Sequence, residues 1–261
     1  MPDAPRVEAT LHAGRLRIRA DAGLSAPVVN EAGPKLRTDP VAVEHARRLD
    51  VSVEGSAVRV QAPPPPARGR APQLLVDVSV PTGTHVWADV GEAQVVATGE
   101  VASLRVHTSS GSVSAEQVTG RVDVRTGRGP VTIHDCGGGI VDVSDSVVIM
   151  RSTRGPVEIR GRSGDVHVWW INAPASVSTS TGNVRLGWAH DRPVHLDIRT
   201  DLGSRVVTVP DDPTSADTRS VVTVVGDITV TPARPRQDVP PRGPRAYVNG
   251  IRAAARRWRG R

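Results

Sequence analysis

The stretch VDVRTGRGPVTIHDC, residues 122–136, has a near copy in VEIRGRSGDVHVWWI, residues 157–171. Both place apolar or small residues at steps 0, 2, 4, 7, 9, 11 and 14 from their first residue, and the same frame fits from Leu104 and from Ala175. Within each copy these residues alternate with polar ones, which is typical of a strand with one buried face. A glycine near the middle predicts a corner, because glycine readily adopts a positive φ. Each copy therefore predicts two strands, a corner and a short third side.

The spacing of the copies predicts how they stack. Leu104 precedes Val122 by 18 residues, and Val157 precedes Ala175 by 18. Weaker copies begin upstream at Val86, and VVTVVGDITV, residues 221–230, ends the series. Coils of this kind stack in parallel at a strand spacing of ~4.8 Å. We therefore predict an all-β, single-domain parallel β-solenoid, or β-helix, over residues 73–231, with coils of about 18 residues.

This prediction has a direct geometric consequence. Val124, Ile159 and Val177 occupy the same step of their copies. They should lie above one another inside the coil, shielded from water.

Residues outside the repeat are predicted to form two further segments. Residues 1–72 are a strand-rich preface, in which RVEATLH with RLRIRA, and LDVSVEG with AVRVQA, are expected to form hairpins. Residues 62–72 are an exposed proline-rich loop, since prolines cannot join a sheet interior. Residues 232–261 form a Pro/Arg-rich linker and a basic tail.

Composition limits the chemistry. Hydrophobic residues make up 38% of the chain and aromatic residues only 2%, so the core must be built from aliphatic side chains. The single cysteine cannot form an internal disulfide, and zinc-binding spacings are missing. Cys136 occupies step 14, the position of Val118 and Ile171 in other copies, which predicts a buried small hydrophobe. The alternative is a reactive thiol activated by a neighbouring imidazole. No metal site and no cofactor are expected.

The positive charge is concentrated at the C-terminus. The net charge is +6, but residues 234–261 contain nine arginines and one acid, so the remainder of the chain sums to −2. Part of this tail is predicted to form a short amphipathic helix. Its uses could be attachment to an anionic membrane surface, capping of the solenoid, docking to a partner protein or, less expected, contact with nucleic acid; the tail could also be disordered. The apolar arc includes Tyr247, Ile251 and Trp258, and the opposite arc includes Arg252, Arg256 and Arg259.

No targeting segment is evident. The N-terminus lacks the basic region and apolar run of a secretory signal, and no stretch approaches 18 consecutive apolar residues. We therefore expect a cytoplasmic protein, which the tail could hold at the inner face of the membrane.

Two surface patterns are candidates for binding. Acids at step 1 alternate with bases at step 3, which predicts a ladder of exposed ion pairs or, alternatively, a binding face for a charged polymer. Trp170 and Trp188 are 18 residues apart, and with Trp169 they are a candidate ledge for a sugar, an apolar peptide or a partner protein. The alternative is that the preface or the tail covers this ledge. The charged rows contain Asp123, Glu158 and Asp197, and His107, Arg125, Arg160 and Arg199.

The sequence does not favour an enzyme. Solenoid enzymes that cleave polysaccharides use acids that converge on one bond, whereas the acids here are predicted to face arginines. The serines belong to no nucleophile motif such as G-x-S-x-G. We therefore expect no catalytic residues.

The repeat resembles a known family. VDVSVPTGTHV, residues 76–86, and the units TSSGSVSA and TSTGNVRL, beginning at Thr108 and Thr179, are similar to the β-strand repeats of the bacterial putative-adhesin, or toast-rack, family. The resemblance covers about residues 50–231. It implies a non-catalytic solenoid that binds a ligand or reports envelope stress beside membrane proteins, without naming the ligand.

Together these features predict a non-enzymatic binding or scaffold module whose protein or polysaccharide ligand is unknown. One alternative is a peripheral membrane or envelope-stress protein localised by its tail. Another is a filament assembled by self-stacking of coil ends.

Overall fold

The structure is a computed structural model that describes residues 4–66, 69–189, 195–209 and 218–232. Strands dominate these residues, and a short helix, α1 (Pro40–Arg47), follows the second strand. The strands are β1 (Arg6–Asp21), β2 (Val28–Pro34), β3 (Asp50–Glu54), β4 (Ala57–Gln61), β5 (Leu74–Pro81), β6 (Thr84–Ser110), β7 (Val113–Val118), β8 (Val122–Arg128), β9 (Val131–Cys136), β10 (Gly139–Asp145), β11 (Val148–Thr153), β12 (Val157–Ser163), β13 (Val166–Ile171), β14 (Ala175–Thr181), β15 (Val184–Trp188), β16 (His195–Leu202), β17 (Arg205–Val207), β18 (Thr218–Val225) and β19 (Ile228–Pro232).

The middle of the chain forms a stack in which each strand pairs in parallel with the strand one coil away. The first strands of the coils, β8, β10, β12 and β14, pair in that order, and so do the second strands, β9, β11, β13 and β15. Val124 is in register with Val141, Val141 with Ile159, and Ile159 with Val177, and all four are buried. The predicted parallel β-solenoid is confirmed, with aliphatic side chains lining its inside.

Glycines and hydrogen-bonded side chains build the corners between the two strands of a coil. Gly182 has a φ of +135°, and a Cβ there would overlap the Gly164 carbonyl oxygen of the neighbouring corner. Beside these glycines, Asp165 Oδ1 accepts the Asn183 backbone N–H at 2.8 Å. Asn183 Oδ1 in turn accepts the Asp227 backbone N–H at 3.0 Å. Three successive corners are therefore joined by one ladder of hydrogen bonds.

The N-terminal strand lies inside the stack. The first half of β1 pairs in parallel with β4 on one side and β6 on the other, and its second half lies between β5 and β6. The chain bends at Gly14, whose φ is +123° and where a Cβ would overlap the Leu74 carbonyl oxygen. RVEATLH and RLRIRA therefore form one bent coil, and the prediction that they form a hairpin is wrong. LDVSVEG and AVRVQA do form a hairpin, in which β3 is antiparallel to β4.

The last two coils are stacked in the reverse of their sequence order. Strand β18 pairs with β14 on one side and with β16 on the other, and β19 lies between β15 and β17. The stretch 221–230, predicted to end the series, is therefore one coil in from the end. The repeat pattern does not reveal this order, because Ile198 and Val221 share one register position.

The end of the stack next to β4 and β5 is closed by antiparallel strands. Strand β2 pairs with β5 and β3 with β4, and the exposed side chains of these outer strands include Glu31, Asp50 and Glu54. Charges on an edge strand disfavour pairing with further strands. Helix α1 begins at the cap residue Asp39, whose carboxylate accepts the backbone N–H groups of Val41 and Ala42.

A buried carboxylate ties this end together. Asp77 on β5 is only 6% exposed. Its carboxylate accepts hydrogen bonds from Arg19 Nη2 and, at 3.3 Å, from Asn30 Nδ2. It also lies 3.6 Å from Arg17 Nη1. Asp77 therefore joins strands β1, β2 and β5.

Candidate binding surfaces

The three tryptophans of the predicted ledge do not form one exposed surface. Trp188 is 4% exposed and lies in register with Ile171, where it fills an inward position of the coil. The register shifts between Val168 and Ile171, because β15 reaches this position with one residue fewer than β13. The stacking of Trp170 on Trp188 that the 18-residue spacing predicts is therefore absent.

Trp169 and Trp170 have different environments. Trp170 lies at the register shift, is half-buried and donates its indole N–H to Asn172 Oδ1 at 3.1 Å. Trp169 is 47% exposed. Of the predicted ledge, Trp169 alone is exposed.

Trp169 stands among outward positions on the second strands of three neighbouring coils, of which Ile149 is buried. Strands β11, β13 and β15 are consecutive in the stack, and alternate residues of each point away from the core. We call this set the tryptophan face. Its members are Ile149, Arg151, His167, Trp169, Arg185 and Gly187.

Gly187 lies close against the backbone of Trp169. It is the neighbour of Trp169 on β15, and a Cβ there would overlap the Trp169 carbonyl oxygen. The next position in the same row is Thr231 on β19. The close packing of the two coils thus requires a residue without a side chain next to Trp169.

Two of the six positions of the tryptophan face are arginines, Arg151 and Arg185. Acids lie close by, since Asp165 acts on His167 and Arg185 acts on Asp227. Burial and the nearby Arg185 lower the pKa of His167, although Asp165 opposes them, so this imidazole is neutral at pH 7. The face therefore combines an aromatic ring, two guanidinium groups and a neutral imidazole.

The first strands carry the predicted ion-pair ladder on their outward side, here called the ladder face. Arg160 Nη2 lies 2.7 Å from Glu158 Oε1, and Arg199 Nε lies 3.0 Å from Asp197 Oδ1. Asp123 lies between Arg105 and Arg125, at 3.7 and 3.8 Å. The ladder is confirmed, and because these groups are exposed each pair contributes only about 0.2–1 kcal/mol.

The ladder face also carries an exposed tryptophan that was not predicted from the sequence. Trp87 on β6 is 53% exposed, and the Arg105 guanidinium lies 5.0 Å from its ring centroid. The repeat pattern predicts an outward side chain here, because Trp87 occupies step 1 of the weak copy that begins at Val86.

A shallow groove of about 840 Å³ runs along the third side of the coils. Its lining includes Gly137, Gly138 and Gly139, together with Pro156 and Pro174. A Cβ on any of these glycines would overlap backbone of a neighbouring coil. The packing of the coils therefore accounts for the small residues of this groove.

Cys136 has the buried position that the repeat predicts. It is in register with Val118 and Thr153 and has no exposed surface. Burial raises the pKa of its thiol to about 11, with a further contribution from Asp135. Burial also lowers the pKa of His134, which removes the cationic imidazole that would activate a thiol.

We expect Cys136 of the native protein to resist a thiol reagent at pH 8 and to react completely in denaturant. Because folding raises this pKa, the thiol's contribution to stability is fully present below its unfolded pKa of about 8.5 and is lost as the pH rises through about 11. The absorbance of a thiol-reactive dye, with and without urea, measures how much of Cys136 has reacted. Rapid labelling of native protein would contradict the buried assignment.

The predicted tail helix, with Tyr247, Ile251, Arg252, Arg256, Trp258 and Arg259, lies outside the described residues and stays a prediction. Among the residues that the structure describes, no helix has the length and apolar character of a membrane span. Nor does this part of the chain hold three or more His, Cys, Asp or Glu side chains close enough to share a metal ion.

The described residues form a parallel β-solenoid in which Trp87 is exposed on the ladder face and Trp169 on the tryptophan face. A solved structure of a putative adhesin from Bacteroides fragilis has the same fold: its TM-score is 0.51 at 11% identity, over 88% of this chain and 92% of that one. A putative cell adhesion protein from Clostridium sporogenes gives a TM-score of 0.25 at 10% identity, over 88% and 93% of the two chains. No protein-family model and no curated sequence matches the chain. The first comparison confirms the resemblance to putative adhesins at the level of fold.

Proposed function

We propose that this protein is a non-enzymatic, adhesin-like binding module whose ligand contacts the tryptophan face. The observation that carries the proposal is the exposure of Trp169, 47%, on a strand paired on both sides. A large aromatic side chain held open on a rigid surface is typical of the centre of a binding site. The strand pairing preorganises the face, so binding need not order a loop.

The chemistry of the other face supports a role without catalysis. Hydrolysis of a glycosidic bond needs one carboxyl group with a raised pKa and a second that converges on the same bond. On the ladder face, Glu158 and Asp197 instead pair with Arg160 and Arg199 at 2.7 and 3.0 Å. Each of these carboxylates is thus held by an arginine of its own strand, and the two do not converge on one point.

The full-length chain, labelled and applied to arrays of glycans and of peptides, tests the proposal. We expect Trp169→Ala to weaken binding to the tightest array ligand by tenfold or more, since truncation of a central aromatic residue costs about 2 kcal/mol. Trp87→Ala is the matched control, because that tryptophan has a similar exposure, 53%, on the ladder face. Equal binding by wild type and Trp169→Ala would contradict the proposal.

Filament formation by end-to-end stacking receives less support. Strands β16 and β17, at one end, each pair with a strand on one side only among the described residues. The other end carries the antiparallel, charged strands β2 and β3. If two copies stacked end to end, the parallel edge of one copy would therefore meet antiparallel strands, and not a matching parallel edge, on the next copy.

A further inference from the structure

The corners of the last two coils depart from a pattern that the other corners keep. One row of corner residues runs along the stack in continuous register, from β6 to β16. The row ends with Val225 on β18 and Leu202 on β16, and both side chains are exposed. The row therefore turns apolar where the described stack ends. Its other members are all polar: Ser110, Arg128, Asp145, Ser163 and Thr181.

Two more valines extend this apolar surface. Val224 precedes Val225 on β18, and Val206 lies on the terminal strand β17; both are exposed. We call Leu202, Val206, Val224 and Val225 the terminal patch. Apolar side chains that are exposed together on a surface mark an interaction site, because a partner that covers them removes them from water.

The same two coils present a free strand edge. Among the described residues, β16 pairs with β18 alone and β17 with β19 alone. The end of a solenoid needs a cap, because an open edge of unpaired backbone groups promotes association with other chains. The antiparallel strands β2 and β3 close the other end of the stack. A cap for the β16 end has to come from a segment outside the described residues or from a partner.

The C-terminal tail begins beside this end and can reach it. Strand β19 ends at Pro232, one coil in from β17, and residues 233–261 follow. The proline-rich linker, residues 233–244, spans up to ~37 Å at ~3.1 Å per residue. The way back along β19 to the terminal corner is about 16 Å, for five residues at ~3.3 Å each. The linker is therefore long enough to place the predicted tail helix on the terminal patch.

The chemistry of the tail complements the terminal patch. The apolar arc of its predicted helix, which includes Ile251 and Trp258, matches the exposed aliphatic side chains of the patch. At the terminal corner, residues 201–205 and 224–227, two acids stand against one base: Asp201 and Asp227 against Arg205. Burial of the apolar arc leaves the arginines of the tail at the rim of the contact, where the two acids attract them.

We propose that the C-terminal tail folds back on its own chain and packs its apolar arc on the terminal patch, so that it covers the free edge of β16. The tail thereby caps the parallel end of the solenoid. This contact is separate from the tryptophan face and does not depend on the ligand of that face.

A pair of introduced cysteines tests the contact in the full chain, because Cys136 is buried and does not compete for oxidation. Leu202→Cys is combined with Ala255→Cys, on the apolar arc, and mass spectrometry follows disulfide formation with oxidised glutathione. Arg128→Cys with Ala255→Cys is the matched control, since Arg128 is exposed in the same corner row. It lies five strands away from Leu202, about 24 Å, which the linker can span. We expect the first pair to form a disulfide within one chain at least about tenfold faster than the control, because docking raises the effective concentration of the two thiols.

Hydrogen exchange gives a second measurement without new cysteines. Trp258→Ser should speed exchange of the amides of residues 195–202 by about tenfold, since the edge strand loses its cover. Arg256→Ser, on the opposite arc, should exchange like wild type. Equal disulfide rates for the two cysteine pairs, or unchanged exchange in Trp258→Ser, would overturn the proposal. A disulfide that joins two chains, at a rate that rises with protein concentration, would also overturn it and assign the terminal patch to a second copy.

Discussion

Replacing Gly139 with alanine should lower the free energy of unfolding by at least ~3 kcal/mol, because the new side chain meets both an unfavourable backbone conformation and a neighbouring coil. The φ of Gly139 is +138°, a conformation that residues with a Cβ rarely adopt. A Cβ there would also overlap the carbonyl oxygen of Val122, on the coil below. Since the overlap is with backbone, no side-chain rotation relieves it. Urea unfolding followed by circular dichroism would measure the change.

Gly33→Ala is the matched control for this substitution. Gly33 lies on the outer strand β2, and a Cβ there would have no atom within 4 Å. We expect its free energy of unfolding to stay within about 0.5 kcal/mol of wild type. If Gly139→Ala were as stable as Gly33→Ala, the close approach of the two coils would be refuted.

Asp77→Ala should lower the free energy of unfolding by about 2–3 kcal/mol, since it removes the buried carboxylate that Arg17, Arg19 and Asn30 share. The side chain of Asp77 is 9% exposed, whereas those of Arg17 and Arg19 are 39% and 50% exposed. The arginines can therefore regain water after the substitution, which places the expected loss below that of a fully buried pair. Thermal unfolding should show a decrease of about 5–10 °C in Tm.

Glu158→Ala provides the comparison for Asp77. Glu158 makes an ion pair with Arg160 at 2.7 Å, but the two side chains are 36% and 60% exposed. We expect a loss below about 1 kcal/mol, because water solvates both partners after the pair is broken. Similar losses for the two substitutions would show that burial of Asp77 adds nothing to the strength of its cluster.

The sequence predicted the coil and its core well, because inward positions repeat at fixed steps and each must exclude water. Val124, Cys136 and Ile159 were placed correctly on this basis. It did not predict that β1 bends into a coil, since Gly14 between two apolar strands has the same pattern whether the chain turns back or turns a corner. Nor did it predict the reversed order of the last coils, which depends on pairing between segments whose apolar patterns are interchangeable.

The candidate site was predicted in part. Trp169 was identified, but the 18-residue spacing also suggested that Trp170 and Trp188 would stack. That spacing holds only while both coils have equal length, and the coil of β15 lacks one residue before Trp188. A single-residue difference moves a side chain from the outer to the inner face of a strand. The arginines of the tryptophan face were not identified, since only the three-dimensional register places them near Trp169.

The placement of β1 and β18–β19 within the stack restricts how such a rod can change in length. A coil added to the chain next to β1 or β19 would adjoin strands that already pair on both sides. It would therefore find no free strand edge at that point of the stack. Between β7 and β15, by contrast, each coil is followed in space by the next coil in sequence. Whole repeats can therefore be inserted or removed in this inner portion without disturbing the interleaving of the ends.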